Sequence, residues 1–540
     1  MTKELSRLFP VLSFILFLLP LASPLQAQDD LHAVWAVKDC RIVTQPGSVV
    51  EKGTVVIRDG LIEAAGPSIS VPQDAEVIDG SSLTVYPGLI DSLGRSLLNL
   101  PQKKFDPSKV YTGQFTDKDK GIVPERKAYQ YFQISKSTLQ KYHKCGITAA
   151  QVIPETGILT GQSSFFSLAG SDKNVNLILK DCCLGIGFSP ASFMVYPSSL
   201  MGVVAFIRQE FIDAFYFAMH TSRWQNEMTG LPRPEFDPRL SILSDYAGGK
   251  KPVIFFCRNQ NDIRRALELA QELDLDYFLC DMGNEAFRVI PELKKANARV
   301  FCPVSFKMPA TSIHAQLGKE EGERAEKEIY VKNPARLAEA GIPFAFSSLG
   351  TDDPESFIEG VRKAVKNGLS RQKALQALTI NGARFLGLEK AMGTVEPGKI
   401  ANLVLVEGKI LSEDAKIKHV FVDGQKFEIK EVKVKEGEKP TVNVSGRWEI
   451  SIPSQGLKVT ADFVQEQAAL SGKMTTPFGV FDLSAGSVSG NEIYFEMNIA
   501  VGGQEIDLYF SAVVEGDRME GTVVQGTEGS AEFTGRRIPS

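Results

Sequence analysis

Between residues 33 and 91, polar and apolar positions alternate in short runs: "DCRIVT", "GTVVIRDGLIEAAG" and "AEVIDGSSLTVYPGLID". The alternation from Thr54 to Ile62, broken by the Asp59-Gly60 turn, predicts a hairpin with one buried face. A second stretch of this kind, "GTVEPGKIANLVLVEG" followed by "IKHVFVDGQKF", spans 393–427, so two β-rich pieces bracket the middle of the chain.

In the middle the period changes. "KPVIFFC", "DYFLCD", "ARVFCPV" and "IPFAFSS" are continuous apolar runs, as buried strands require, and they alternate with helical patterns. After the first of them, Ile263, Ala266, Leu267, Ala270 and Leu273 fall on one helical face. Another helix, from about Pro354, turns Phe357, Val361 and Val365 inward and stops at Gly368. This βα alternation between 85 and 385 suits an eight-stranded barrel. "EIKEVKVKEGEKP" is too polar for a core and reads as a linker. Beyond it, runs such as "GRWEISI", "LKVTADF" and "EIYFEMNI", separated by Gly-containing turns, predict an antiparallel barrel or sandwich of about eight strands.

Composition adds little: 43% hydrophobic and 23% charged residues are ordinary for a folded chain. The N-terminus adds more. Lys3 and Arg7 precede an apolar run from Phe9 to about Ala22 and a small-residue stretch ending at Ala27, the order of a secretory signal peptide cleaved after Ala27. Export to a periplasm, cell surface or extracellular space is expected, with no membrane span after cleavage. Removing Lys3, Arg7 and Glu4, a net charge of +1, takes the formal charge from −5 to −6, which leaves no basic footprint for nucleic acid. The seven cysteines form no CxxC pair and sit mainly in apolar surroundings, as buried thiols do. No G-x-S-x-G elbow or P-loop occurs. The Gly-containing "PETGILTGQSS" reads as a turn or as a pocket-side loop.

Three stretches, "GTVVIRDGLIEAAGPSISVPQDAEVIDGSSLTVYPGLID", "NDIRRALELAQELDL" and "ALTINGARFLGLEKAMGTVEPGKIANLVLVEG", resemble the imidazolonepropionase-like branch of the amidohydrolase superfamily, over roughly 33–428. The resemblance implies an α/β fold: a distorted (β/α)8 TIM barrel with a composite β-sandwich built from both barrel flanks. The organisation expected is a signal peptide at 1–27, the sandwich at 28–86 and 388–430, the barrel at 87–387, a linker at 431–440 and an antiparallel β domain at 441–540. The resemblance also implies hydrolysis at one or two metal ions, usually zinc, at the C-terminal ends of the barrel strands. Such a metal polarises the scissile carbonyl and brings its bound water to a pKa of about 7.

The ligand positions depart from that family. Its first strand ends in Pro-Gly-Leu-Ile-Asp and two histidines one residue apart; Pro87 to Asp91 keeps the motif, but the histidine positions fall on Leu93 and Arg95. The third histidine falls on Phe256, the fourth near Met282 or Asn284, the final aspartate on Leu349 or, after a register shift, Asp352 or Asp353, and a metal-bridging lysine on Ser167. Of the five histidines, His32, His143, His220, His314 and His419, no two have paired ligand spacing. No metal ligand and no catalytic residue is therefore assigned, and no cofactor is expected. Leu93, Arg95, Phe256 and Leu349 are expected to line a substrate-binding pocket, with Arg95 as a two-donor fork for a carboxylate. The expected function is a non-catalytic paralogue that binds a small molecule or peptide, or partners an active amidohydrolase, as homodimer or heteromer. The alternative is a hydrolase of carbon–nitrogen bonds holding zinc or another divalent metal through Asp91, Asp352 and Glu285.

Overall fold

The computed structural model describes residues 34–101, 115–190, 195–306, 328–351, 353–429, 439–453, 457–477, 479–501, 504–525 and 529–538. The expected signal segment, most of the expected linker, His32, His314 and Asp352 lie outside the described residues.

The two bracketing pieces form one eight-stranded network. Strands β1 (Val34–Gln45), β2 (Ser48–Arg58), β3 (Leu61–Gly66), β4 (Ala75–Asp79) and β5 (Leu83–Pro87) come from the first piece. β1 changes partner along its length, pairing with β4 at Val34 to Lys38 and with β5 at Arg41 and Ile42. The change falls at Asp39, whose φ of 59° is left-handed. A bulge there turns the strand, and the network wraps two separate apolar cores, one around Val37, Ile42 and Val85, the other around Ala36 and Val56.

The barrel strands begin with β6 (Leu89–Gly94) and β7 (Ile147–Val152), which are parallel. β8 (Leu159–Gln162) and β9 (Ser164–Ser167) are two halves of one bent strand, and a short β10 (Leu177–Leu179) pairs outside β9. β9 runs antiparallel to β7, and β8 antiparallel to β11 (Leu184–Gly187). From there β12 (Val253–Cys257), β13 (Tyr277–Asp281), β14 (Val300–Pro303) and β15 (Phe344–Ser347) follow in parallel. Taking the bent strand as one, eight strands surround a common interior, with Ser347 Oγ donating to Leu93 O at 2.6 Å between the tips of β15 and β6. The third strand is thus reversed relative to its neighbours. A parallel return needs a crossover of a dozen or more residues, and only residues 153–158 separate β7 from β8.

Helices clothe the outside: α1 (Lys136–Lys144), α2 (Leu200–Glu227), α3 (Gln260–Glu272) and α4 (Pro354–Lys366). Asn259 caps α3 by accepting from the Asn261 and Asp262 N–H groups, and Ile263, Ala266 and Ala270 are buried, as the periodicity predicts. Gly368, at φ 107°, takes the left-handed turn that ends the α4 region. The second bracketing piece then supplies β16 (Leu403–Glu407), β17 (Lys416–Val422) and β18 (Gln425–Glu428). β16 pairs with β5, so the two pieces share one sheet whose order is β18-β17-β16-β5-β1-β2-β3.

The C-terminal strands, β19 (Gly446–Ile452) to β26 (Gly529–Arg537), close an antiparallel barrel of eight through the β19–β26 pair. Its core of Trp448, Phe463, Phe495, Phe510 and Phe533 shares no residue with the cores of the other domains. This is the closed form of the two all-β alternatives.

Candidate functional site

The inward positions at the strand tips carry carbon. Leu93 follows from β6, Phe256 from β12 and Leu349 from the segment after β15, and all three meet in one buried cluster with Ile153, Cys183 and Cys280. Met282 packs against the same cluster. Phe256 is only 4% exposed. The packing reaches the backbone: a Cβ on Gly185 would lie 2.9 Å from Phe256 Cε2 and 2.1 Å from Thr160 Oγ1. Lower in the ring, Phe278, Phe301 and Phe385 pack with ring centroids 5.1–5.4 Å apart. Aliphatic and aromatic side chains offer no lone pairs of the kind that bind zinc, so the residues at these tips do not fit the metal that the fold family implies. Among the described residues, no group of three or more His, Cys, Asp or Glu side chains converges as a metal cage.

Arg95 stands apart from the other three candidates. Its Nη1 donates to Glu155 Oε1 at 2.6 Å on the rim, with the arginine side chain 57% exposed and that of Glu155 17% exposed. Glu155 follows the C-terminal end of β7, which lies beside that of β6 and so brings it to Arg95 at the mouth. One arm of the fork expected for a ligand carboxylate thus meets a carboxylate of the chain itself.

Two buried carboxylates were missing from the expected pocket. Asp91 Oδ2 accepts from Ser348 Oγ at 2.5 Å and Oδ1 from Ser348 N at 3.1 Å; burial raises its pKa to about 6. Asp281, the last residue of β13, accepts from Glu285 N, Ala286 N and Asn333 Nδ2 at 2.8–2.9 Å; burial likewise raises it to about 6. Both hold backbone turns together. A charged residue ending an apolar run, as in "DYFLCD", was the signal available for Asp281. Beside it Asn284 is buried at φ 53°, its Oδ1 lies 3.9 Å from Cys302 Sγ, and its Nδ2 has no partner.

The remaining candidates are spread through the fold. Glu285 Oε2 accepts from Gln260 N at 2.8 Å, and Asp353 caps α4 by accepting from Ser356 N at 2.6 Å. Ser167 Oγ donates to Asp423 Oδ2 at 2.6 Å, linking β9 to the β17–β18 turn. His143 Nε2 lies 2.7 Å from Leu168 O, and burial lowers its pKa to about 4, so the ring is neutral near pH 7. His220 Nε2 lies 3.0 Å from Pro232 O. The seven cysteines are free thiols, five of them buried.

A space that the sequence did not announce opens between the composite sheet and the C-terminal barrel. This cleft of about 1120 Å³ is lined by Lys418, His419 and Glu428 on one side and by Tyr494, Glu496 and Glu520 on the other. Tyr494 donates to Glu496 Oε1 at 2.6 Å. Burial, followed by repulsion from Lys426, lowers the pKa of His419.

Known proteins share both fold and local sequence with this chain. The Amidohydrolase family matches residues 322–438. Adenine deaminase of Clostridium botulinum (strain 657 / Type Ba4) is 34% identical over 96 residues, 16% of this chain and 16% of that protein. Imidazolonepropionase of Syntrophobacter fumaroxidans is 39% identical over 79 residues, 14% of this chain and 18% of that protein. The chain thus spans less than a fifth of the length of these relatives. The crystal structure of an amidohydrolase from Thermotoga maritima matches with a TM-score of 0.62 at 21% identity, covering 73% of this chain and 99% of that one; at that identity the likeness shows the fold. The family match runs from the last barrel strand through the second sheet piece, and together with the local sequence likeness and the shared fold it makes this chain similar to the amidohydrolase superfamily in both fold and local sequence.

Proposed function

We propose that this protein is an exported member of the superfamily that binds without hydrolysing: a non-catalytic paralogue that holds a small molecule or peptide, or works beside an active amidohydrolase. The observation that carries this reading is the apolar filling of the strand tips by Leu93, Phe256 and Leu349. Hydrolysis in the family's manner needs oxygen or nitrogen donors converging there, and the two nearest buried carboxylates, Asp91 and Asp281, are already engaged by backbone N–H groups. At the rim, Arg95 is the group that would take a ligand carboxylate, exchanging Glu155 for it. The interdomain cleft, at about 1120 Å³, has room for a bulkier ligand, its volume being at the upper end of small-molecule sites. Export rests on the charged, apolar and small-residue order of residues 1–27. No helix among the described residues is long and apolar enough to cross a membrane.

The test is elemental analysis after chelator washing and incubation with zinc, with amide hydrolysis assayed on the same sample. Well under one zinc per chain and no hydrolysis is the expected result. About one zinc per chain, with activity that tracks occupancy, would overturn the reading in favour of a hydrolase using Asp91, Asp352 and Glu285.

A further inference from the structure

The C-terminal barrel has no lumen for a ligand, because Trp448, Phe463, Phe495, Phe510 and Phe533 fill its interior. What it offers is its outer face, and the part turned towards the composite sheet differs from the rest. Outside the cleft, cross-strand ion pairs cover that face: Arg447 with Asp462 at 2.7 Å, Lys458 with Glu449 at 3.4 Å and Lys473 with Asp482 at 3.9 Å. On the cleft wall, hydroxyl side chains stand level across β22 (Gly479–Ser489), β23 (Glu492–Val501), β24 (Gln504–Glu515) and β25 (Arg518–Gln525). Ser487 is paired with Tyr494, Tyr494 with Ser511, and Ser511 with Thr522, and all of them line the cleft. Neighbouring strands are about 4.8 Å apart, so this row runs for about 14 Å.

The row suits a polyol. Each hydroxyl donates one hydrogen bond and accepts others, as a sugar hydroxyl does. Tyr494 Oη gives its hydrogen to Glu496 Oε1 at 2.6 Å and still accepts, and of Ser511 and Thr522, whose oxygens are 3.1 Å apart, one O–H stays free to donate. Carboxylates flank the row, Glu492 and Glu520 on one side and Glu496 on the other, and such groups accept strongly from ligand hydroxyls. They also narrow the class. They repel a sulfated or uronic polymer, and the closest two on this wall are two strands, about 10 Å, apart, too far to share one ammonium. The facing wall adds His419, whose Nδ1 is buried and has no hydrogen-bond partner. We propose that this cleft binds a short neutral oligosaccharide laid along Ser487, Tyr494, Ser511 and Thr522, with His419 contacting it from the composite sheet. The proposal rests on the assignment of a ligand to the cleft and is independent of whether the barrel hydrolyses a substrate.

Isothermal titration calorimetry on the full chain tests it, with maltotetraose, cellotetraose, xylotetraose and tetra-N-acetylchitotetraose as sugars and with spermidine and tetralysine as cations. At least one tetrasaccharide should bind with a Kd of about 1 mM or tighter. Tyr494→Phe, and Ser511→Ala together with Thr522→Val, should each weaken that binding about tenfold, as the loss of one or two hydrogen bonds does, with the circular dichroism of the parent retained. Lys473→Ala, outside the cleft, should leave it unaltered. Failure of all four sugars to bind overturns the proposal. So does sugar binding that both sets of cleft variants leave intact, or a preference for spermidine or tetralysine that raised salt abolishes. Zinc uptake with hydrolysis would instead overturn the non-catalytic reading of the barrel and leave sugar binding in place.

Discussion

Phe256 falls where the family resemblance leads one to expect an imidazole, and its surroundings are apolar. Gly185 gives the ring room by lacking a Cβ, and Leu93 and Leu349 close over it. Restoring one histidine therefore does not restore a site. Phe256→His should lower stability by about 2–4 kcal/mol, through lost packing and an imidazole without partners, and should leave zinc uptake unchanged; denaturant unfolding and metal analysis check the two halves. Asp281 gives a prediction in pH. Its pKa is raised by burial to about 6 in the folded chain, above its ordinary value of 3.8. The native state then holds this proton more tightly than the unfolded one, so the carboxyl's contribution is fully present below about pH 4 and lost as pH rises through 6. Asp281→Asn cannot titrate, so the parent's advantage over it should shrink across that window, by on the order of 3 kcal/mol for two pKa units. A difference between the two proteins that stays flat from pH 4 to pH 7 would contradict the assignment. At this scale a fixed motif, Pro87 to Asp91, locates Leu93, and the strand patterns of "PVIFFC" and "IPFAFSS" place Phe256 and Leu349 beside it in one buried cluster. The Arg95–Glu155 pair was not legible: its partners are 60 residues apart and meet only because β6 and β7 lie side by side in parallel, with Gly94 level with Val152.

The reversed strand marks what element patterning carries and what it omits. Apolar runs and their helical neighbours were readable between residues 85 and 385, since a buried strand and an amphipathic helix each leave a local period. Direction leaves none. "ILTGQSSFF" looks the same whichever way it runs, and only the short connection at 153–158, too brief for a crossover, encodes the reversal. Helix starts were better marked. Asp353, a register-shifted candidate for the family's final metal-ligand aspartate, caps α4. Asp353→Ala should therefore cost about 1 kcal/mol of stability and leave any ligand or metal affinity of the barrel unaltered, measured by thermal unfolding beside calorimetry. A loss of binding without a loss of stability would return Asp353 to the site.

The whole molecule joins a barrel and a composite sheet, which share one apolar core through Tyr86, Val404, Val406, Val420 and Val422, to a second barrel whose core is distinct. The two bracketing β pieces were recognisable as one unit only through the family resemblance, because strands more than 300 residues apart share no local signal, although β5 and β16 pair directly. The interdomain cleft had no signature at all: each side is an ordinary polar strand face, and only their placement makes a space. Separate cores predict separable folding. Residues 439–540 expressed alone should melt in a single cooperative transition by circular dichroism; a gradual, non-cooperative loss of signal would show that the barrel depends on the rest of the chain.

The remainder left by such a cut would meet a different problem. Among the described residues β18 is the last strand of the composite sheet, with a row of backbone N–H and C=O groups facing outward. In the intact protein the C-terminal barrel stands before this edge across the cleft, and its closed ladder has no open strand to offer in return. Edges of this sort are templates for strand addition between molecules. A barrel placed there leaves less room for a second molecule to pair with this edge, whether or not it touches a ligand.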